Sequence, residues 1–144
     1  MTEKEKIEEG TEFVPRFDEN GLVPAIAQDV ETGQVLMLAY MNRESLALTL
    51  ETGLATYYSR SRGKLWKKGE QSGHVQRVKQ ILVDCDQDCL VLKVSVKGGQ
   101  CHVGYQSCFY RSLSAGGVEL TFVAEKVYDP KTTYEKKRAG GKNL

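Results

Sequence analysis

Val75-Gln76-Arg77-Val78-Lys79-Gln80-Ile81-Leu82-Val83-Asp84-Cys85-Asp86-Gln87-Asp88-Cys89-Leu90-Val91-Leu92-Lys93-Val94-Ser95-Val96 sets two β-patterned runs on either side of an acidic, thiol-rich hexapeptide. Val75 to Cys85 reads as a long strand, and Leu90 to Val96 alternates as a second one. Between them, three carboxylates and two thiols fall within six residues, a density that packing alone does not require. An unpaired buried charge costs several kcal/mol, so this grouping points to cations. Aspartates suit hard ions such as Mg²⁺, and cysteines suit zinc.

If the strand runs on through the hexapeptide, period-two geometry puts Asp84, Asp86 and Asp88 on one face. Cys85 then points to the other face, where it is placed to reach a neighbouring subunit. An EF-hand loop also begins D-x-D-x-D. It fails here, because Cys89 occupies the glycine position and Ser95 the position of the bidentate glutamate.

Outward from this centre, the chain reads as a mostly antiparallel β domain with one or two helices, an α+β class. Lys4–Glu9 suggests a short helix in a polar lead-in (1–20) with only weak docking. Leu22–Gln28 contains Pro24 and suits an edge strand. Val35–Met41 is almost wholly apolar, a strand buried on both faces. Asn42 is a good N-cap for a ten-residue helix through Glu51, which Gly53 stops. Thr56, Tyr57 and Tyr58 mark a strand over Ala55–Arg60. A glycine-rich loop follows, from Ser61 to His74. Cys108–Leu113 and Val118–Val127 make a last pair of strands around Ser114–Gly117. The segment 21–127 is one catalytic domain, and the basic stretch 128–144 is a flexible tail.

The 144 residues are enough for one buried core, with 40% hydrophobic and 27% charged residues. A net charge of +1 gives no global attraction to nucleic acid or membrane. No apolar run reaches the roughly 18 residues needed to span a bilayer, and the charged N-terminus lacks a signal peptide's apolar segment. The expected compartment is the cytoplasm. There, the four cysteines serve as free thiols or metal ligands rather than disulfides.

Two further clusters carry chemistry. In C-H-x-G-x-x-S-C (Cys101–Cys108), a loop just after Gly98-Gly99 bends both thiols together. Cys85, Cys101 and Cys108 make three ligands, the number used by a catalytic zinc that keeps a position for water, with Cys89 or His102 as possible extras. The second cluster is the loop Ser59–His74, with Arg60, Arg62, Lys64, Lys67 and Lys68 among glycines and hydroxyls. Such side chains bind phosphate by charge-assisted hydrogen bonds. Trp66 either stacks on a base or packs the loop down. His74 and His102, the two histidines, are candidate general bases.

The run S-R-S-R-x-x-x-W-x-K-G-x-x-S-G-H (Ser59–His74), then D-C-D-x-D (Asp84–Asp88), then C-H-x-G-x-x-S-C-F-Y-R (Cys101–Arg111) resembles the phosphoribosyl-AMP cyclohydrolases of histidine biosynthesis. The likeness spans about Leu22 to Leu113 and includes Ala39-Tyr40-Met41-Asn42. The chain is too short for the pyrophosphohydrolase domain of bifunctional relatives, so it reads as monofunctional.

The resemblance implies a barrel-like folded sheet in an intertwined homodimer. It implies Asp84, Asp86 and Asp88 as Mg²⁺ ligands, with zinc at the subunit interface held by Cys85 from one subunit and Cys101 and Cys108 from the other. The implied reaction opens the adenine ring of 1-(5-phosphoribosyl)-AMP between N1 and C6, using zinc-activated water. His74 or His102 would act as base. Arg60, Arg62, Trp66, Lys67 and Ser72 would hold the substrate. Cys89 departs from the small apolar residue expected there and has no assigned role. The rival reading is a zinc-stabilised nucleic-acid-binding module that uses the Arg60–Lys68 loop. Neutral net charge and the order of the motifs favour the enzyme, acting on a small molecule with no nucleic-acid or membrane partner.

Overall fold

The computed structural model describes residues 1–131. A short helix α1 (Glu3–Glu9) precedes β1 (Val23–Asp29), β2 (Val35–Met41), helix α2 (Arg43–Thr52), β3 (Thr56–Ser59), β4 (Lys64–Lys67), β5 (Gln76–Val83), β6 (Leu90–Val96), β7 (Arg111–Leu113) and β8 (Leu120–Phe122). The first six strands form one sheet in the order β4-β3-β2-β1-β6-β5, and β7-β8 is a separate hairpin. All pairings are antiparallel except β1 with β6. The class is α+β, as expected, with the sheet curled into a half-barrel.

The curl has a visible cause. The start of β5, at one edge of the sheet, bonds back to the segment leading into β3. Ala55 N donates to Gln76 O at 3.0 Å, and Val78 N donates to Gly53 O at 2.8 Å. Inside this curve, β1 and β6 alternate buried and part-exposed residues. Ala25 and Ala27 pair with Leu90 and Leu92, so small side chains lie beside large ones in the core. Leu36, Met41, Tyr57, Leu90, Leu92 and Val94 are fully buried, each aliphatic one contributing roughly 1.5–3 kcal/mol.

Helix α2 begins at a capping box, in which Asn42 Oδ1 accepts from Ser45 N (2.8 Å) and Ser45 Oγ accepts from Asn42 N (2.9 Å). Gly53 ends it in the left-handed conformation expected of that residue. Thr49 fastens it to β3, accepting from Thr56 N at 2.9 Å.

Several expectations are corrected. β1 is interior, flanked by β2 and β6. Pro24 is tolerated because it lies ahead of the first β6 partner, at Ala25. β2 is not buried on both faces: Val35 and Leu38 are 43% and 45% exposed. The supposed loop 61–74 contains β4, paired residue for residue with β3. Strand β5 stops at Val83, so Asp84–Cys89 is a tight turn and strand alternation does not govern it. β7 and β8 are three residues each, shorter than expected.

The lead-in and the start of the expected tail are also better attached than the sequence suggests. The lead-in bonds to Gln87 through four contacts. Tyr128, assigned to the flexible tail, donates its hydroxyl to Cys101 O at 2.5 Å. The rest of that expected tail, 132–144, lies outside the described residues.

Candidate active site

A groove of about 420 Å³ opens beside β2 and β4. Met37, Leu38, Arg62, Trp66, Lys67, Lys68, Ser72, Gln100, His102 and Cys108 are among its lining residues. The Cys101–Cys108 loop closes on itself as the sequence implies: Cys101 N donates to Tyr105 O (3.0 Å) and Gly104 N to Cys101 O (3.0 Å). Gly104 has φ +112°, and a Cβ there would stand 2.6 Å from Tyr128 O, so only glycine fits. Cys108 N donates to Leu36 O at 2.7 Å, which ties the loop to β2.

This closure makes the Cys101 and Cys108 thiols neighbours that interact electrostatically. Burial first, and then the neighbouring Cys101, push the Cys108 thiol up to about 12. A thiol that resists ionisation beside a second thiol is a donor pair that a soft dication would suit, because a bound metal holds thiolates deprotonated. Lys68 reaches into the same place, donating to Gln100 O at 2.5 Å. Burial lowers its pKa, and the two thiols oppose that shift.

Behind the groove runs a buried polar chain. Tyr57 Oη donates to Gln76 Oε1 (2.6 Å), and Gln76 Nε2 donates to Gln100 Oε1 (3.0 Å). Sequence reading named Lys68 only as one of the loop's cations, and it missed Gln76, Gln100 and Tyr128 as parts of this region. Only Gln100 carried a local signal, its position between the Gly-Gly turn and Cys101.

Of the expected site residues, Arg62, Trp66, Lys67, Ser72, His102 and Cys108 line the groove. Trp66 lines the groove and also packs on the core, its ring centroid 5.1 Å from that of Tyr57. Arg60 is elsewhere, its guanidinium 4.0 Å over the Tyr40 ring. Of the basic residues from Arg60 to Lys68, Arg62, Lys64, Lys67 and Lys68 line the groove and Arg60 alone does not. His74 is not in the groove lining. Its ring meets Tyr128 edge-on at 5.0 Å, and a Cβ on Gly98 would stand 3.0 Å from its Nε2. Its Nδ1 is buried without a hydrogen-bond partner.

The acidic turn gathers Asp84, Asp86 and Asp88 with one oxygen of each within 4.8 Å of the others. Among the described residues it is the only such group of three or more metal-type donors. The three carboxylates do come together, but through a turn rather than a strand face. Asp84 Oδ1 accepts from Asp88 N and Cys89 N, both at 3.0 Å. Hydrogen bonds that its protonated form donates to Asp86 and Asp84 raise Asp88 to about 6, while accepting from Asp88 holds Asp86 low. The cluster thus retains a proton that a divalent cation would displace. Cys85 is exposed on this turn, and Cys89 is half-buried, its thiol raised by burial and by Asp84 and Asp88.

These two donor sets lie at opposite ends of the β5–β6 hairpin. Seven residues of β6 separate them, roughly 23 Å at about 3.3 Å per residue.

The model of the family described as phosphoribosyl-AMP cyclohydrolase matches residues 37–110. The chain belongs to that family. The match runs from β2 to Tyr110 and takes in the groove, the acidic turn, Cys101 and Cys108. A phosphoribosyl-AMP cyclohydrolase of Methanothermobacter thermautotrophicus is 61% identical, over 83% of this chain and 88% of that relative. One from Methanococcoides burtonii is 59% identical, over 83% of this chain and 94% of its own length. One from Chlorobium limicola is 54% identical over 95% of this chain and 99% of its own. As a member of this family the chain is a hydrolase. Among the described residues, no helix is long and apolar enough to cross a membrane.

Proposed function

We propose that the chain hydrolyses 1-(5-phosphoribosyl)-AMP, opening the adenine ring between N1 and C6, a step of histidine biosynthesis. The observation that carries this reading is the groove itself. Cys108 is in its lining with Cys101 as that thiol's neighbour, and cationic and aromatic side chains surround it, in a chain of this family. Cys101 and Cys108 are the residues to hold zinc. When bound there, zinc supplies the acidity that lets a water ionise near neutral pH.

The chain's own residues do the rest. Trp66 offers a face for the base. Arg62 and Lys67 bind phosphate oxygens, with Ser72 as a hydroxyl donor. Lys68 places a positive charge beside the thiolates and offsets part of their negative charge. His102 opens onto the groove next to Cys108 and is the side chain suited to move the proton. Asp84, Asp86 and Asp88 are the residues to hold Mg²⁺, whose charge suits a phosphate group.

Two thiols are one short of a catalytic zinc's usual three protein ligands. Cys85 of a second copy completes the set in this proposal, which makes the working unit a homodimer. Support comes from the apolar surface around β7 and β8: Phe109, Leu113, Leu120, Phe122 and Val123 are each more than half exposed. Solvent-facing apolar groups in such number mark a surface meant to be covered.

Phosphoribosyl-AMP supplied to the purified protein with zinc and Mg²⁺ should give the absorbance of the ring-opened product, and added chelator should stop it. No turnover with both metals present would overturn the proposal.

A further inference from the structure

The acidic turn is built around Gln87, the one described residue other than glycine with positive φ, at +60°. A residue with a Cβ enters this left-handed region only when its surroundings hold it there. Here those surroundings are the lead-in, more than seventy residues earlier in sequence. Gln87 Oε1 accepts from Val14 N at 2.7 Å. Its Nε2 donates to Ile7 O at 3.0 Å and to Glu12 O at 3.2 Å. Its backbone carbonyl accepts from Arg16 N at 2.7 Å.

The side chain is 6% exposed and both of its N–H donors are in use. The turn is closed from within as well, by Gln87 N to Asp84 O (3.0 Å) and by the two amides on Asp84 Oδ1. Gln87 therefore sits at a junction, with the three carboxylates on one side and residues 7–16 on the other.

We infer that the lead-in from Ile7 to Arg16 is a working part of the Mg²⁺ site, and that Gln87 is the positioning residue through which it sets the arrangement of Asp84, Asp86 and Asp88. This rests on the reading of the triad as the Mg²⁺ site. Neither Gln87 nor the lead-in touches the metal in this account. They narrow the range of turn conformations, so less ordering remains to be done when the ion binds. Residues that orient metal ligands typically change metal affinity by about 10–100-fold.

Calorimetric titration of Mg²⁺ into the full-length, zinc-loaded protein tests this. Gln87→Gly keeps the left-handed backbone accessible and removes the side-chain bonds to the lead-in. Val14→Pro removes the N–H that Oε1 accepts and leaves the turn's own sequence intact. Gln87→Gly should weaken Mg²⁺ binding about tenfold, and Val14→Pro by a smaller factor in the same direction, with zinc content unchanged in both. Linkage requires the reverse effect too: saturating Mg²⁺ should slow amide exchange at Val14 and Arg16 in the wild type.

Wild-type Mg²⁺ affinity in both variants, with no added protection of Val14, would overturn the inference and leave the triad's assignment standing. Wild-type protein whose Mg²⁺ binding is unaffected by Asp86→Asn would overturn the assignment itself, and the inference with it. Should Gln87→Gly fail to fold, Val14→Pro together with the exchange measurement decides.

Discussion

The two ends of the β5–β6 hairpin solve the same problem differently. At the turn, three carboxylates meet within one chain, aligned by backbone amides and by the lead-in. At the far end, the Cys101–Cys108 loop brings two thiols together and stops there. A hard-ion site can be assembled locally from a turn of alternating aspartates, with water filling the remaining positions. A catalytic zinc needs three protein ligands, and this loop supplies two. The exposed Cys85 sits with the complete site, on the wrong end of its own hairpin to help the incomplete one. On the proposed reading, the difference teaches that the chain's metal chemistry divides into a part it finishes alone and a part it shares with a second copy.

Breaking the thiol end should have the largest effect. Cys101→Ala is expected to lose zinc and to lower turnover by on the order of 10³, measured by metal analysis and steady-state rates. Mg²⁺ affinity at the turn should survive it. Full activity without zinc would mean that the thiol pair is structural only.

Breaking the acidic end should be smaller and separable. Asp86→Asn is expected to weaken Mg²⁺ by roughly 10–100-fold while zinc content stays at the wild-type level. A simultaneous loss of zinc would mean that the two ends are not independent within a chain.

Most of the elements could be read from the sequence because their signals were local. Asn42 and Gly53 bracket α2 where the capping rules put them, and β6 alternates as its composition suggests. Likewise the acid and thiol motifs announced their chemistry by residue type alone. The misses were non-local. Pro24 looked like an edge marker because nothing nearby told where β6 would begin to pair. β4 was hidden by lysines and glycines whose strand character comes from pairing with β3. The convergence of the aspartates was expected for a geometric reason that fails, since the turn and not the strand gathers them. Gln87 and Tyr128 lie far in sequence from the segments they fasten, so no window of the chain shows their roles.

A finer comparison uses protons. Asp88, raised to about 6 by its hydrogen bonds to Asp86 and Asp84, binds its proton more tightly in the folded protein than in the unfolded chain. Without metal, stability should therefore fall as pH rises from about 4 through about 6. Mg²⁺ must displace that proton, so its affinity should rise about tenfold per pH unit below about 6 and level off above. Titrations across this range check both trends, and a flat affinity profile would argue against the shared proton.

The smallest effect is expected behind the groove. Tyr57→Phe leaves Gln76 Oε1 without its buried donor and should cost about 1–3 kcal/mol in urea unfolding, with both metals still bound. A cost near zero would show that the polar chain from Tyr57 to Gln100 does not hold the groove wall.

The central claim, a zinc site shared between copies, is tested most directly by mixing. Cys85→Ala and Cys101→Ala proteins, each inactive alone, are unfolded together and refolded as a mixture. In a two-fold dimer with shared sites, half of the molecules are mixed and each holds one intact site, so the account predicts about a quarter of wild-type activity and zinc. Activity and zinc no greater than in the separate variants, in a mixture shown to contain mixed dimers, would contradict it.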